Sequence, residues 1–195
     1  MPQGLDHDPP PKEKLVPFGV LTLATGALML IFGQQETSDF WVDCLRLWWE
    51  QVRTLYPQLK RLVLYLDNGP KNSGTRTQFL KRMIEFADWS GLEVRLVYYP
   101  PYHSKYNPIE RCWSSLQKKW NGVLLTCWDV VRSCAMRMLW KQQHPTVHRL
   151  DGVYATGVSV PAAEMKVCNS RLARSATLPK YDITIKPKTN NVQVK

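Results

Sequence analysis

The chain has 195 residues, 44% hydrophobic and 22% charged, which fits one globular domain of ordinary size. Its most apolar stretch, residues 16–33, is interrupted by Thr22, Thr25 and Gly26, so a membrane span is excluded, and residues 1–14 lack the apolar segment of a signal peptide, which predicts a cytoplasmic protein. The formal net charge of +10 favours a polyanionic partner such as a nucleic acid, although a generic basic surface would give the same charge.

Two strands joined by a tight turn are predicted after a flexible segment at residues 1–14. The strands cover residues 15–22 and 27–32, and Gly26 supplies the backbone freedom that the turn needs. A helix follows, with Thr37 or Ser38 as its N-cap. Its apolar stripe consists of Trp41, Cys44, Leu45, Trp48, Val52 and Leu55. The tryptophans of such stripes are expected to pack in the core.

The middle of the sequence alternates strands and helices. Residues 61–66 form a short apolar run that ends in a turn, which predicts a buried strand. A helix over residues 75–89, with Gly91 as its C-cap, leads to a second buried strand over residues 93–99. After a loop, Pro108 fits the first turn of a third helix.

The last third is predicted to hold a fourth helix, a short helix and a late extended piece, at residues 126–140, 161–173 and 181–185. A hairpin that feeds alternating helices and strands predicts an α/β fold with a mixed sheet and flanking helices. The ribonuclease-H-like fold has this order after its first strand. We therefore expect that fold without its first strand.

Two carboxylates stand at positions suited to chemistry. Asp67 follows a predicted strand and precedes a sharp Asn-Gly-Pro turn, although it can simply cap its own loop. Glu110 lies in the first turn of the third helix, where the helix dipole alone favours an acidic residue. The topology can bring both to one end of the sheet, where oxygen ligands bind Mg²⁺ or Mn²⁺. Two-metal phosphodiester chemistry needs a third carboxylate to hold the bridging ion.

A resemblance to a known family rests on four segments. Residues 98–113, 66–70, 76–79 and 16–19 read YYPPYHSKYNPIERCW, LDNGP, RTQF and VPFG. Together they resemble the Rhodopirellula-type insertion-sequence transposases and, more distantly, mariner-like transposases. The resemblance extends from about residue 6 to residue 187.

The resemblance implies a DDE transposase catalytic domain over residues 15–187, followed by a tail at 188–195. It implies that Asp67 is the second aspartate of the triad, that Glu110 is its glutamate, and that both hold Mg²⁺ or Mn²⁺. Asn107 and Pro108 match the box that positions the glutamate. No residue here matches the first aspartate, so we expect a truncated domain that is incomplete or inactive alone in DNA cleavage and strand transfer.

The expected partners are the transposon ends and the target DNA, and an exposed sheet edge suggests self-association. Ordinary solvation of a basic surface remains the alternative for the candidate DNA contacts. These are Arg76, Lys81, Arg82, Tyr102, His103, Lys105, Lys118 and Lys119. Two other functions stay open: a non-catalytic DNA-binding remnant, and a phosphohydrolase with Asp67 as nucleophile. The second lacks support from any glycine-rich phosphate loop.

Overall fold

The computed structural model describes residues 14–100, 103 and 106–188, which fold into seven strands and five α-helices. In chain order these are β1 Val16–Leu21, β2 Leu28–Gly33, α1 Ser38–Val52, β3 Arg61–Leu66, α2 Thr77–Ser90, β4 Glu93–Tyr98, α3 Pro108–Trp120, α4 Trp128–Met136, β5 Thr146–Arg149, α5 Ala162–Ser170, β6 Leu172–Arg174 and β7 Asp182–Ile185. The predicted α/β class is therefore confirmed. No helix of this described part is long and apolar enough to cross a membrane.

The strands form two sheets, where the sequence predicted a single mixed sheet. The first sheet has the order β1-β2-β5 and the second has the order β3-β4-β7-β6. Each mixes parallel and antiparallel pairs. Within the described residues β1 pairs only with β2 and β3 only with β4, so no hydrogen-bonded ladder joins the sheets.

A shared apolar core holds the two sheets together. Helix α1 packs on one face of the first sheet, and α2 packs on one face of the second sheet. The side chains between these helices and the sheets are almost fully buried. The core includes Phe18, Ile31, Phe40, Trp48, Leu80, Met83, Val94, Leu96 and Ile183. Each large aliphatic or aromatic side chain buried here stabilises the fold by about 1.5–3 kcal/mol. The Thr37 side chain begins α1 by accepting a hydrogen bond from the amide of Phe40 at 3.1 Å.

A second core fills the opposite face of the first sheet. There α3 and α4 pack on Leu30 and Phe32 of β2 through Cys112, Leu116, Val131 and Met138. Trp113 and Trp120 of α3 lie partly buried and pack against this core.

The outward face of the second sheet is open to solvent. Along β3 the side chains alternate, and Val63 and Tyr65 are 37% and 49% exposed. The prediction that residues 61–66 form a strand is confirmed, but the prediction that this strand is buried is wrong. The reason is that every second side chain of β3 lies on the outward face of the second sheet, which is open to solvent.

Candidate functional site

The Asp67 carboxylate stands directly after β3 and is exposed. Its Oδ1 atom accepts two hydrogen bonds, from the amide of Gly69 at 3.3 Å and from Nδ2 of Asn72 at 2.8 Å. Both described hydrogen bonds go to Oδ1, which leaves Oδ2 open to solvent or to a ligand. The side chain thus has a fixed orientation with one oxygen available.

The loop after Asp67 is tied to three neighbouring segments. Ser38 of α1 donates its hydroxyl to the carbonyl of Lys71 at 2.7 Å, and Arg174 of β6 donates to the carbonyl of Gly74 at 3.0 Å. Gly74 also approaches the carbonyl of Lys180 so closely that a Cβ atom would lie 2.3 Å from that oxygen. These contacts hold the loop in one conformation beside the end of β3.

Asn72 is the buried centre of this loop, with only 1% of its surface exposed. The Tyr98 hydroxyl donates a hydrogen bond to the backbone carbonyl of Asn72 at 2.9 Å. Burial raises the pKa of Tyr98 well above its ordinary value, so this hydroxyl keeps its proton and remains a donor. Tyr98 is itself 4% exposed, so the packed sheet fixes the asparagine.

Glu110 lies half-buried in the first turn of α3, where the sequence places it. Pro108 occupies the first turn, and the buried residue Asn107 precedes it as the N-cap. The amide of Glu110 donates to the carbonyl of Asn107 at 3.1 Å, which closes the first turn tightly. The Asn-Pro-Ile-Glu segment therefore fixes the backbone from which the glutamate projects.

The two carboxylates belong to different parts of the fold. Asp67 directly follows a strand of the second sheet, and Glu110 lies in the first turn of a helix that packs on the first sheet. Within residues 14–100, 103 and 106–188, no group of three or more histidine, cysteine, aspartate or glutamate side chains could hold a metal ion. Joint binding of one ion by Asp67 and Glu110 therefore stays a prediction.

The candidate DNA contacts have different surroundings. Lys118 and Lys119 are exposed in the last turn of α3, with no ion pair among the described residues. Lys81 forms an ion pair with Glu164 at 2.8 Å, and Arg76 donates to the carbonyl of Val158 at 3.0 Å.

Arg82 is ion-paired with three carboxylates, those of Asp39, Asp43 and Glu85. His103 is exposed and stacks on Tyr106, with ring centroids 5.8 Å apart. Tyr102 and Lys105 lie outside the described residues.

Sequence reasoning missed Asn72 and Tyr98 as supports of Asp67. Asn72 lies only five residues after the aspartate, in a turn whose polar residues signal a loop. Tyr98 is distant in sequence and meets the loop only because β3 and β4 pair in parallel, with Leu66 opposite Tyr98.

Comparison with protein families identifies the chain as a transposase domain of the DDE class. The matching family model is that of the Rhodopirellula transposase DDE domain, which aligns with residues 2–187. The chain belongs to this family, and the resemblance seen in the sequence is confirmed. Membership implies a nuclease function in transposition, with DNA as substrate and, in general, divalent metal ions. Searches of curated proteins and of solved structures gave no match.

Proposed function

We propose that this chain serves metal-dependent DNA strand cleavage and strand transfer in the transposition of an insertion sequence, with Asp67 and Glu110 as ligands of Mg²⁺ or Mn²⁺. The observation that carries the proposal is the Asp67 carboxylate, held through Oδ1 with Oδ2 open, in a chain of this family. We assign the activity to a catalytic domain over residues 15–187 with a ribonuclease-H-like arrangement.

The residues fit a hard divalent cation, because such ions prefer carboxylate oxygens. Asp67 offers Oδ2 from a loop that is fixed on three sides, and Glu110 projects from a rigid first turn. When bound, divalent ions activate a water or a 3′-hydroxyl and stabilise the leaving oxygen in attack on a phosphodiester. The exposed Lys118 and Lys119 are suited to hold DNA phosphates through charge, without reading sequence.

Two carboxylates alone make a weak site for this chemistry, which needs a third. We infer that the 195 residues by themselves bind divalent metal weakly and do not cut DNA.

The unpaired edges of β1 and β3 in the described part also favour self-association.

A non-catalytic DNA-binding module is the second candidate. It is favoured by one observation, that no group of three potential metal ligands occurs within the described residues. In this case the net charge of +10 would provide the affinity and the two carboxylates would play no part.

DNA binding measured with and without metal separates the two candidates. The full chain, Asp67→Asn and Glu110→Gln are titrated with a labelled duplex in EDTA and in Mg²⁺, and nicking is followed in the same samples. The metal-site proposal predicts that Mg²⁺ strengthens binding in the parent and not in either variant, without nicking. An effect of Mg²⁺ on affinity that is the same in all three proteins would support the DNA-binding module. Mg²⁺-dependent nicking that is lost in Asp67→Asn would show that the chain is active alone.

A further inference from the structure

We propose that Asn72 is a positioning residue of the metal site, orienting Asp67 through its amide nitrogen and accepting a hydrogen bond from a metal-bound water through its amide oxygen. This inference rests on the proposed function, because it concerns the ion that Asp67 would hold. Asn72 is not one of the carboxylates that the resemblance assigns to the site.

The amide of Asn72 can be oriented in only one way. Its Nδ2 atom lies 2.8 Å from Oδ1 of Asp67 and donates to it, whereas a reversed amide would set two acceptors against each other. The Oδ1 atom of Asn72 is then buried, and within the described residues it has no hydrogen-bond partner. A buried carbonyl oxygen without a donor is costly, so a donor from outside the protein is expected there.

Gly69 leaves a space toward which this oxygen and the Asp67 carboxylate converge. A Cβ atom built on Gly69 would lie 3.4 Å from Oδ1 of Asn72 and 3.5 and 3.6 Å from Oδ1 and Oδ2 of Asp67. These three oxygens therefore border the space beside the Gly69 Cα that a side chain would fill. Mg²⁺ keeps several of its waters when one or two carboxylates bind it, and such waters are the donors that fit these oxygens.

The packed sheet makes this arrangement rigid. The Tyr98 hydroxyl holds the backbone of Asn72 at 2.9 Å, and the Ser38 hydroxyl holds the preceding carbonyl of Lys71 at 2.7 Å. The buried Asn72 side chain is therefore held in place beside the Asp67 carboxylate. Hydrogen-bonding partners that orient metal ligands in this way typically change metal affinity by about 10- to 100-fold when they are removed.

Mn²⁺ binding to the full chain, followed by electron paramagnetic resonance of free Mn²⁺, tests the proposal. Gly69→Ala puts a methyl group into the space and makes no contact shorter than 3.4 Å, so the fold tolerates it. Asn72→Ala removes the amide itself. Thr75→Ala is the matched control in the same loop, because Thr75 is exposed and its hydroxyl makes its one described hydrogen bond with the Ser73 hydroxyl at 3.3 Å.

We expect Gly69→Ala and Asn72→Ala to raise the Kd for Mn²⁺ by about tenfold or more, and Thr75→Ala to leave it unchanged. Gly69→Ala should keep the thermal midpoint of the parent, so that the loss cannot come from unfolding. Asp67→Asn distinguishes a failure of the proposed role of Asn72 from a failure of the proposed metal site. If Asp67→Asn abolishes binding while Gly69→Ala and Asn72→Ala bind like the parent, the role of Asn72 is wrong and the site stands. If the parent binds no Mn²⁺, or Asp67→Asn binds equally well, the proposed metal site and this inference both fail.

Discussion

Gly19 of β1 lies so close to Trp113 of α3 that a Cβ atom at Gly19 would be 2.8 Å from Cη2 of the indole. The same Cβ would be 3.0 Å from Cδ1 of Ile109. The absence of a side chain at one position of β1 thus sets how near α3 comes to the sheet. Glu110 follows Ile109 directly, so this contact also sets the position of the proposed catalytic carboxylate.

Gly19→Ala should therefore destabilise the protein. Overpacking of a filled core costs about 1–3 kcal/mol, and here the methyl group meets a tryptophan ring and an isoleucine side chain. Denaturation by urea measures the free energy of unfolding. Gly69→Ala is the control, since its Cβ has only ordinary contacts. Equal stability of Gly19→Ala and the parent would show that α3 moves away at no cost.

The Tyr98 hydroxyl offers a second test of stability. Tyr98→Phe leaves the carbonyl of Asn72 without its 2.9 Å donor in a buried place, at an expected cost of about 1–3 kcal/mol. Tyr65→Phe is the matched control, because Tyr65 is 49% exposed on the open face of the second sheet. Urea denaturation of both variants should show a loss only in Tyr98→Phe, and equal losses would contradict the assigned role of the hydroxyl.

Asp88, near the end of α2, makes the free energy of unfolding depend on pH in the acid range. Burial raises the pKa of its carboxyl, but hydrogen bonds from Arg171 and from the amide of Lys188 outweigh burial, so the pKa lies below its ordinary value. The folded state therefore binds this proton less readily than the unfolded chain does. The contribution of Asp88 to stability is present above the unfolded pKa of about 3.9 and is lost as the pH falls through the folded pKa.

Asp88→Asn should lower the free energy of unfolding at pH 7 by about 1.5–3 kcal/mol, because it removes charged hydrogen bonds. It should also flatten the decline of stability below about pH 4. Urea denaturation at several pH values checks both effects. Asp151→Asn is the control, since its side chain is 68% exposed and such ion pairs contribute little. If stability falls with acid as steeply in Asp88→Asn as in the parent, Asp88 is not a source of the acid sensitivity.

The basic end of α3 should contribute to DNA binding, whereas Lys81 should not. The Lys118→Ala/Lys119→Ala double variant is expected to weaken binding and to reduce the slope of log K against log salt by about 0.9 for each lost phosphate contact. Lys81→Ala is the matched control, because its ammonium is paired with Glu164 at 2.8 Å. Fluorescence anisotropy over a range of salt concentrations measures both quantities. A greater loss in Lys81→Ala than in the double variant would reverse the assignment.

Elements with strong local signals could be predicted from the sequence. The bounds of β3, Arg61–Leu66, agree with the prediction, and α1 begins after Thr37, one of the two predicted caps. Gly91 ends α2 with a φ of 72°, as a glycine C-cap requires. The strands β5 and β6 were not predicted, because they have four and three residues and form only through pairing with β2 and β7.

The site could be predicted only in part, for a similar reason. The positions of Asp67 at a strand end and Glu110 in a first turn follow from local pattern. The support of Asp67 by Asn72 depends on Tyr98, which reaches the loop through strand pairing. The division into two sheets and the exposure of β3 depend on which strands become neighbours, and no local pattern determines that.

Iron-directed backbone cleavage tests whether Asp67 and Glu110 hold the same ion. Fe²⁺ replaces Mg²⁺, ascorbate and peroxide generate hydroxyl radicals at the bound iron, and mass spectrometry maps the cuts. A shared metal site predicts cuts near residue 67 and near residue 110, both suppressed by excess Mg²⁺ and both lost in Asp67→Asn. Cuts near only one of these positions, or cuts that persist in Asp67→Asn, would contradict a shared metal site.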